Sequence, residues 1–295
     1  MFYFNVLISG IAQGLMWALF SIGVYINFNV LKFPDMTAEG SVTLGAIITA
    51  MLVNSGVNSV LALLIAALFG VIPGIVTGVL ATHLKIQPIL AGVLTMIAMY
   101  SINLRIMDDK ATISIIGSSL NNSFSFITKN RQYVSILAGT VVAIITIIAL
   151  AWFFSTKIGL AVRATGSNPQ MARTSAINTN YTHILTLALS NALIAVSGGL
   201  IAQFDYGAAI ISMGQGSTVI GLASVILGVK ILFRRKNNIF FKLIAVSCGA
   251  IIYRCLVAFA LLIPILKATD LKLITAVLVA VILCFPSFKK RKSEL

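Results

Sequence analysis

Apolar runs of about 20 residues return along nearly the whole chain, and the stretches between them are too short to fold alone. The segment "LLIAALFGVIPGIVTGVLA" at 63–81 is one such run, and "VVAIITIIALAWFF" at 141–154 lies within another. A helix rises about 1.5 Å per residue, so each run matches a bilayer core of about 30 Å. Within hydrocarbon the backbone must satisfy its own hydrogen bonds, which makes every such run a helix. Composition agrees: 59% of residues are hydrophobic and only 9% are charged, against roughly a quarter charged in soluble domains. The expected fold is an all-α, polytopic membrane helix bundle forming one transmembrane domain over 1–295. Spans are expected near 4–30, 34–54, 58–82, 87–106, 133–155, 181–204, 217–234, 239–264 and 270–286, about nine in all with a range of about eight to ten.

The formal net charge is +14. A nucleic-acid partner is not the reading, because the Lys and Arg fall in short clusters between apolar runs, as in "KILFRRKNN" and "KKRKSEL". Clusters of this kind orient a membrane protein by staying on the cytoplasmic side. That rule puts the loops 156–180 and 230–242 and the tail 287–295 in the cytoplasm, with the N-terminus outside and the C-terminus inside. The first span has an uncharged flank and no small-residue cleavage site, so it is expected to be retained. Cys248, Cys255 and Cys284 all fall inside expected spans, as small apolar core residues. His83 and His183 lie near span ends without a second ligand at metal spacing, and no metal site is expected.

The second run departs from the pattern. "VLKFPDMTAEGSVTLGAIITAMLV" at 30–53 opens with Pro34, Asp35, Thr37, Glu39, Gly40 and Ser41. Ionisable groups at membrane depth face a bundle interior or a water-filled path, and a helix that starts inside the membrane lends free amides to such a path. Asp35, Thr37, Glu39 and Ser41 are therefore candidate path residues, joined by Asn191, Gln203 and Ser217 from later runs. For Asp35 the alternative is a solvated turn beside Lys32. "EGSVTLGA" at 39–46 is echoed by "QGSTVIGLA" at 215–223, on segments expected to enter from opposite faces. Inverted repeats with interrupted helices are a transporter device. Arg254 lies deep within its run and needs a partner, with Asp35, Glu39 and Asp205 the acidic candidates, in an intramembrane ion pair or another structural role.

The loop "STKIGLAVRATGSNPQMARTSAINTNYTHI" at 155–184 carries a capping Ser-Asn followed by Pro169 at a first helical position. A short helix from Pro169 to about Ile177 is expected, too small to be stable without a docking partner. The pattern of Gly159, Leu160, Arg163, Ala164, Gly166, Asn168, Pro169, Ala172 and Arg173 resembles the cytoplasmic coupling loop of permeases in branched-chain amino acid and ribose ABC importers. "PDMTAEGSVTLGA" is similar to the broken second helix of that family, and "GGLIAQF" with "MGQGSTVIGLASVILG" to its later hairpin. Within the family the chain looks most like a branch linked to tryptophan-like substrates. It departs from the pattern at Val229, where relatives often carry an acid, and at Ala176, where a glycine is usual. Loss of that glycine is expected to straighten the exit of the coupling helix.

The resemblance implies a type II importer-like fold and a permease that hydrolyses nothing itself. Arg163, Gly166, Asn168, Pro169, Ala172, Arg173 and Ile177 would then couple it to a cytoplasmic ABC ATPase dimer, which would bind the ATP and Mg. A second permease, identical or related, would pair with it in a bacterial plasma membrane. An extracytoplasmic solute-binding protein would deliver the solute. The residues agree on one point independently: the chain has no phosphate-binding G-x-x-x-x-G-K-[ST] loop, and no hydrolase signature either. It is expected to be no enzyme and to bind no cofactor. The alternative is a stand-alone secondary carrier on a proton or ion gradient, with Asp35, Glu39 and Arg254 as its relay.

Overall fold

The computed structural model describes residues 2–116, 131–232, 238–262 and 273–282. The expected tail 287–295, most of the loop after 107 and Cys284 lie outside them. The chain is helical and crosses back and forth along one axis. The helices are α1 (Phe2–Tyr25), α2 (Ala38–Asn54), α3 (Ser59–Thr82), α4 (Pro88–Ile106), α5 (Arg131–Ser155), α6 (Lys157–Ser167), α7 (Pro169–Thr174), α8 (Thr179–Ile201), α9 (Ser217–Val225) and α10 (Ile239–Ala260), followed by α11 (Leu273–Ile282). Wider π-helical turns extend α1 through Ile26–Val30, α8 through Ala202–Tyr206 and α9 through Ile226–Leu232. Among the described residues, six helices are long and apolar enough to cross a membrane, and three shorter apolar ones accompany them.

Two features differ from the sequence reading. The second run becomes helical at Ala38, not at Pro34, so Leu31 to Thr37 form an irregular connection. The stretch 157–167, read as loop, is the helix α6, capped where Thr156 Oγ1 accepts from the Gly159 amide at 3.2 Å. A further element had no sequence signal: β1 (Thr112–Ser114) pairs antiparallel with β2 (Ala208–Ile210) in a two-stranded ribbon. Asn54 at the end of α2 bonds the first strand, donating to the Ser114 carbonyl at 2.8 Å and accepting from the Ile116 amide at 2.9 Å.

The ribbon marks one end of the bundle, and α6–α7 mark the other. The packing between them rests on close backbone approach. Gly70, Gly74 and Gly78 of α3, four residues apart, lie against α8: a Cβ at Gly70 would sit 2.7 Å from the Asn191 carbonyl oxygen, and one at Gly74 would sit 2.7 Å from the Ala188 Cα. Small residues at this spacing let membrane helices touch where lipid gives no hydrophobic drive. Gly45 of α2 and Gly198 of α8 meet each other's helix in the same way, at the Ala195 and Val42 carbonyls. α2 is thereby enclosed by α3, α4 and α8, and 13 of its residues are buried. The outer faces of α3 and α5 carry Leu64, Leu68, Ile72, Ile144, Ile145 and Ile148, all exposed, as a lipid-facing surface requires.

Candidate functional site

Three polar places stand out against this apolar frame. The first is the α6–α7 knob. Asn168 ends α6 and caps α7, its Oδ1 accepting from the Gln170 and Met171 amides at 3.1 and 3.2 Å. Pro169 takes the first helical position, where its missing N–H costs nothing. Ala172 turns inward and is buried, while Met171 projects with 68% of its surface exposed. Gly166 packs onto the Val30 carbonyl at the end of the first helical run. Arg173 Nε donates to Thr179 Oγ1 at 2.9 Å, bracing α7 against the start of α8. Ala176 does not straighten the exit: it adopts φ +58°, and the Ile177 amide reaches back to the Ala172 carbonyl at 3.0 Å. This is the left-handed helix end that glycine usually provides, held here by alanine.

Basic residues gather around the knob. Lys85 and Arg173 line a cavity of about 770 Å³ between α7–α8 and the α3–α4 turn, together with Phe33, Ile177 and His183. Lys32, Arg163 and Lys242 share a second of about 190 Å³ with Tyr25.

The second place is a buried carboxyl. Asp35, with no solvent exposure, sits in the irregular connection before α2 and accepts three N–H bonds. Asn27 Nδ2 and Asn191 Nδ2 each donate at 2.9 Å, and the Thr37 amide donates at 2.8 Å. Ser41 Oγ donates to Asn191 Oδ1 at 2.7 Å, and the hydroxyls of Thr37 and Thr77 lie 2.6 Å apart. α1, α2, α3 and α8 therefore meet in one hydrogen-bonded cluster. The solvated turn beside Lys32 does not describe Asp35. Asp35, Thr37, Ser41 and Asn191 come together, yet all are closed to solvent in this conformation. Asn27 and Thr77 join the cluster without being among the sequence candidates; the signal available for Asn27 was a pair of amides, Asn27 and Asn29, in the otherwise apolar stretch "YINFNV".

The third place is a cavity of about 290 Å³ beside the first turn of α2, walled by Glu39 and Thr43, by Tyr100 and Asn103 of α4, and by Gln215. Glu39 is thus separated from the Asp35 cluster although only four residues away. Gln203 is buried in the π-helical turn after α8, 1% exposed. Ser217 Oγ donates to the Gly214 carbonyl at 2.7 Å and closes the turn before α9. Neither joins the other path candidates. Arg254 of α10, also buried, places its guanidinium 4.0 Å above the Trp17 ring, a cation–π contact that a desolvated charge favours. Asp205, held by Gln13 Nε2 at 2.9 Å, is the carboxylate within its electrostatic reach. Among the described residues no group of three His, Cys, Asp or Glu could hold a metal.

Residues 6–284 match the family described as branched-chain amino acid transport system / permease component. The chain is 39% identical over 273 residues to a tyrosine transport system permease protein of Clostridioides difficile (strain R20291), covering 92% of this chain and 88% of that one. It is 29% identical over 235 residues to the uncharacterized protein RP368 of Rickettsia prowazekii (strain Madrid E), covering 79% and 80%. A shorter match, 37% over 86 residues and 28% of this chain, joins it to the nucleoside ABC transporter permease protein NupC of Lactococcus lactis subsp. cremoris (strain MG1363), of which it covers 27%. No solved structure gives a significant match.

Proposed function

The chain belongs to the branched-chain amino acid transport permease family, membrane subunits of ABC transporters that are not themselves enzymes, and from that premise we propose that it forms the path of an importer for an aromatic amino acid such as tyrosine or tryptophan. The solute class is supported by the tyrosine permease, 39% identical over 273 residues. In this reading a cytoplasmic ABC ATPase dimer holds the nucleotide and Mg, a second permease copy or a related one completes the path, and an extracytoplasmic binding protein delivers the solute.

The observation that carries the reading is the α6–α7 knob. A six-residue helix has no stability of its own, yet α7 is capped at its start, closed at its end and braced on α8, with Met171 facing outward. Such a projection fits a groove in another protein. The surrounding Lys32, Lys85, Arg163, Arg173 and Lys242 support a cytoplasmic position for this end, and so an external N-terminus. Six long and three shorter apolar helices support nine crossings. α2 and α9 begin on the two echoed segments, and α9 starts three residues beyond Gly214, which packs on Glu39. That arrangement supports an inverted pair of broken helices.

ATP binding would draw the ATPases together, push the knob and tilt α8, to which the knob is bonded. α8 in turn holds α2 through Gly45, Gly198 and Asn191. The test is Met171→Asp in the complex of this chain with its ATPase. We expect co-purification of the ATPase, and ATP-driven uptake, to fall about tenfold or more, the effect of charging one apolar anchor in a docking groove. Wild-type assembly and uptake would remove the knob from the mechanism.

A further inference from the structure

Resting on that reading, we propose that the cavity beside the first turn of α2 is where the carried amino acid is held, with Glu39 and Asn103 accepting from its α-ammonium group. The cavity lies at half height. α2 starts at Ala38, and a Cβ on Gly40 would stand 2.8 Å from Met99 Cβ and 3.7 Å from Met96 Cα. Those methionines are in the middle of α4, which runs Pro88–Ile106. Interrupted helices place solute sites at this depth.

The cavity presents acceptors in search of a donor. The carboxylate of Glu39 lines it and makes no hydrogen bond or ion pair among the described residues. Asn103 is 1% exposed, and its Nδ2 donates to the Gly40 carbonyl at 3.2 Å. That bond fixes the amide, because the flipped form would set two oxygens against each other. Asn103 Oδ1 is left buried and without a partner. Buried acceptors in this state are rare and costly. One charged acceptor on the chamber wall and one neutral acceptor just behind it, closed over in this conformation, suit a compact cation with several N–H groups that draws the amide oxygen forward, which describes an ammonium. A bare magnesium or calcium ion would ask for about six or more oxygens.

The rest of an amino acid has counterparts too. α9, nine residues long, begins at Ser217 behind Gly216, which offers no side-chain cap, two residues after Gln215 of the cavity wall. Its N-terminal amides favour a carboxylate. Met96, Ile97 and Tyr100 form the apolar wall, and methionine and aromatic edges suit a ring. The volume of about 290 Å³ is at the lower limit of small-molecule pockets, about 300 Å³. Ile97 and Tyr100 are 59% and 46% exposed, so the chamber opens sideways. A carboxylate opening sideways at half height belongs against protein or water rather than lipid, and a second permease would supply that cover.

The test compares two solutes in proteoliposomes holding the full complex with its ATPase and binding protein. One is L-tyrosine; the other is 3-(4-hydroxyphenyl)propionate, which lacks only the ammonium. The wild type should favour tyrosine. Glu39→Gln and Asn103→Leu should each raise the KM for tyrosine roughly 10- to 100-fold, the loss of a charge-assisted or buried hydrogen bond. Uptake of the analogue should not change, and the binding protein is the same throughout, so the loss belongs to this chain. Wild-type KM in both variants, or an equal fall for both solutes, would overturn the assignment. If a variant does not assemble, Ser101→Cys in the otherwise native complex decides. Thiol modification there should slow in the presence of tyrosine but not of the analogue, and an unprotected thiol would overturn the site. Failure of the wild-type complex to carry any amino acid would be a different result, striking the function proposed above.

Discussion

Asp35 shows what one residue does in this frame. Its three N–H donors come from α1, from the connection before α2 and from α8, so a single carboxyl ties together segments far apart in sequence. Asparagine at this position would set its NH2 group against at least one of these N–H donors. A buried donor left without its acceptor costs about 1–3 kcal/mol, so Asp35→Asn should lower the unfolding midpoint in detergent, and an unshifted midpoint would contradict the tie. Ala176 predicts the opposite sign. An L-residue in the left-handed region is strained by about 1–2 kcal/mol, and Ala176 is exposed and holds φ +58°. Ala176→Gly should therefore stabilise the protein by about 1 kcal/mol at most, after the entropy that glycine adds to the unfolded chain; no gain in thermal unfolding would count against it. The sequence made Asp35 conspicuous because a carboxylate next to proline is anomalous in an apolar run. It could not say whether Asp35 meets water or amides, since Asn27 and Asn191 arrive from elsewhere in the fold. Asn103 was harder still, one polar residue beside the end of an apolar run with nothing local to mark its bare oxygen.

At the scale of elements, helices were legible wherever hydrophobic length alone decides them. α3, α4, α5 and α10 follow from the apolar runs, and α7 from Asn168 and Pro169. Helix α6 was not, because "KIGLAVRATGS" is too short and mixed to declare itself. It forms against the neighbouring elements, with Val162, Thr165 and Gly166 turned inward. The ribbon likewise joins two three-residue strands far apart in the chain, below any periodicity that could be read. The glycines stand between these cases. Their spacing in α3 invites close packing, but only the fold names α8 as the partner. Gly198 is the sharpest instance, since any side chain there meets the Val42 carbonyl. Gly198→Ala should force α2 and α8 apart at a cost of about 1–3 kcal/mol. A wild-type thermal midpoint in that variant would show that the contact is looser than described.

On the scale of the whole molecule, the two ends differ in chemistry and one axis joins them. The end with the knob is basic and bonded to α8; the middle holds a tied carboxyl and an untied one; the far end carries the ribbon. The apolar runs alone predicted a polytopic bundle, and the loop motif alone predicted its kin, but the route between them needed the packing of α8 on α2. The central claim is that work reaches the path from a separate ATPase through that knob. Its most direct test is tyrosine accumulation in sealed proteoliposomes, measured with this chain alone and with the chain plus its ATPase and binding protein, ATP being supplied on the ATPase side. We predict accumulation only in the complete, ATP-fed vesicles, whatever proton or sodium gradient is imposed. Accumulation by the chain alone under an ion gradient would contradict the account.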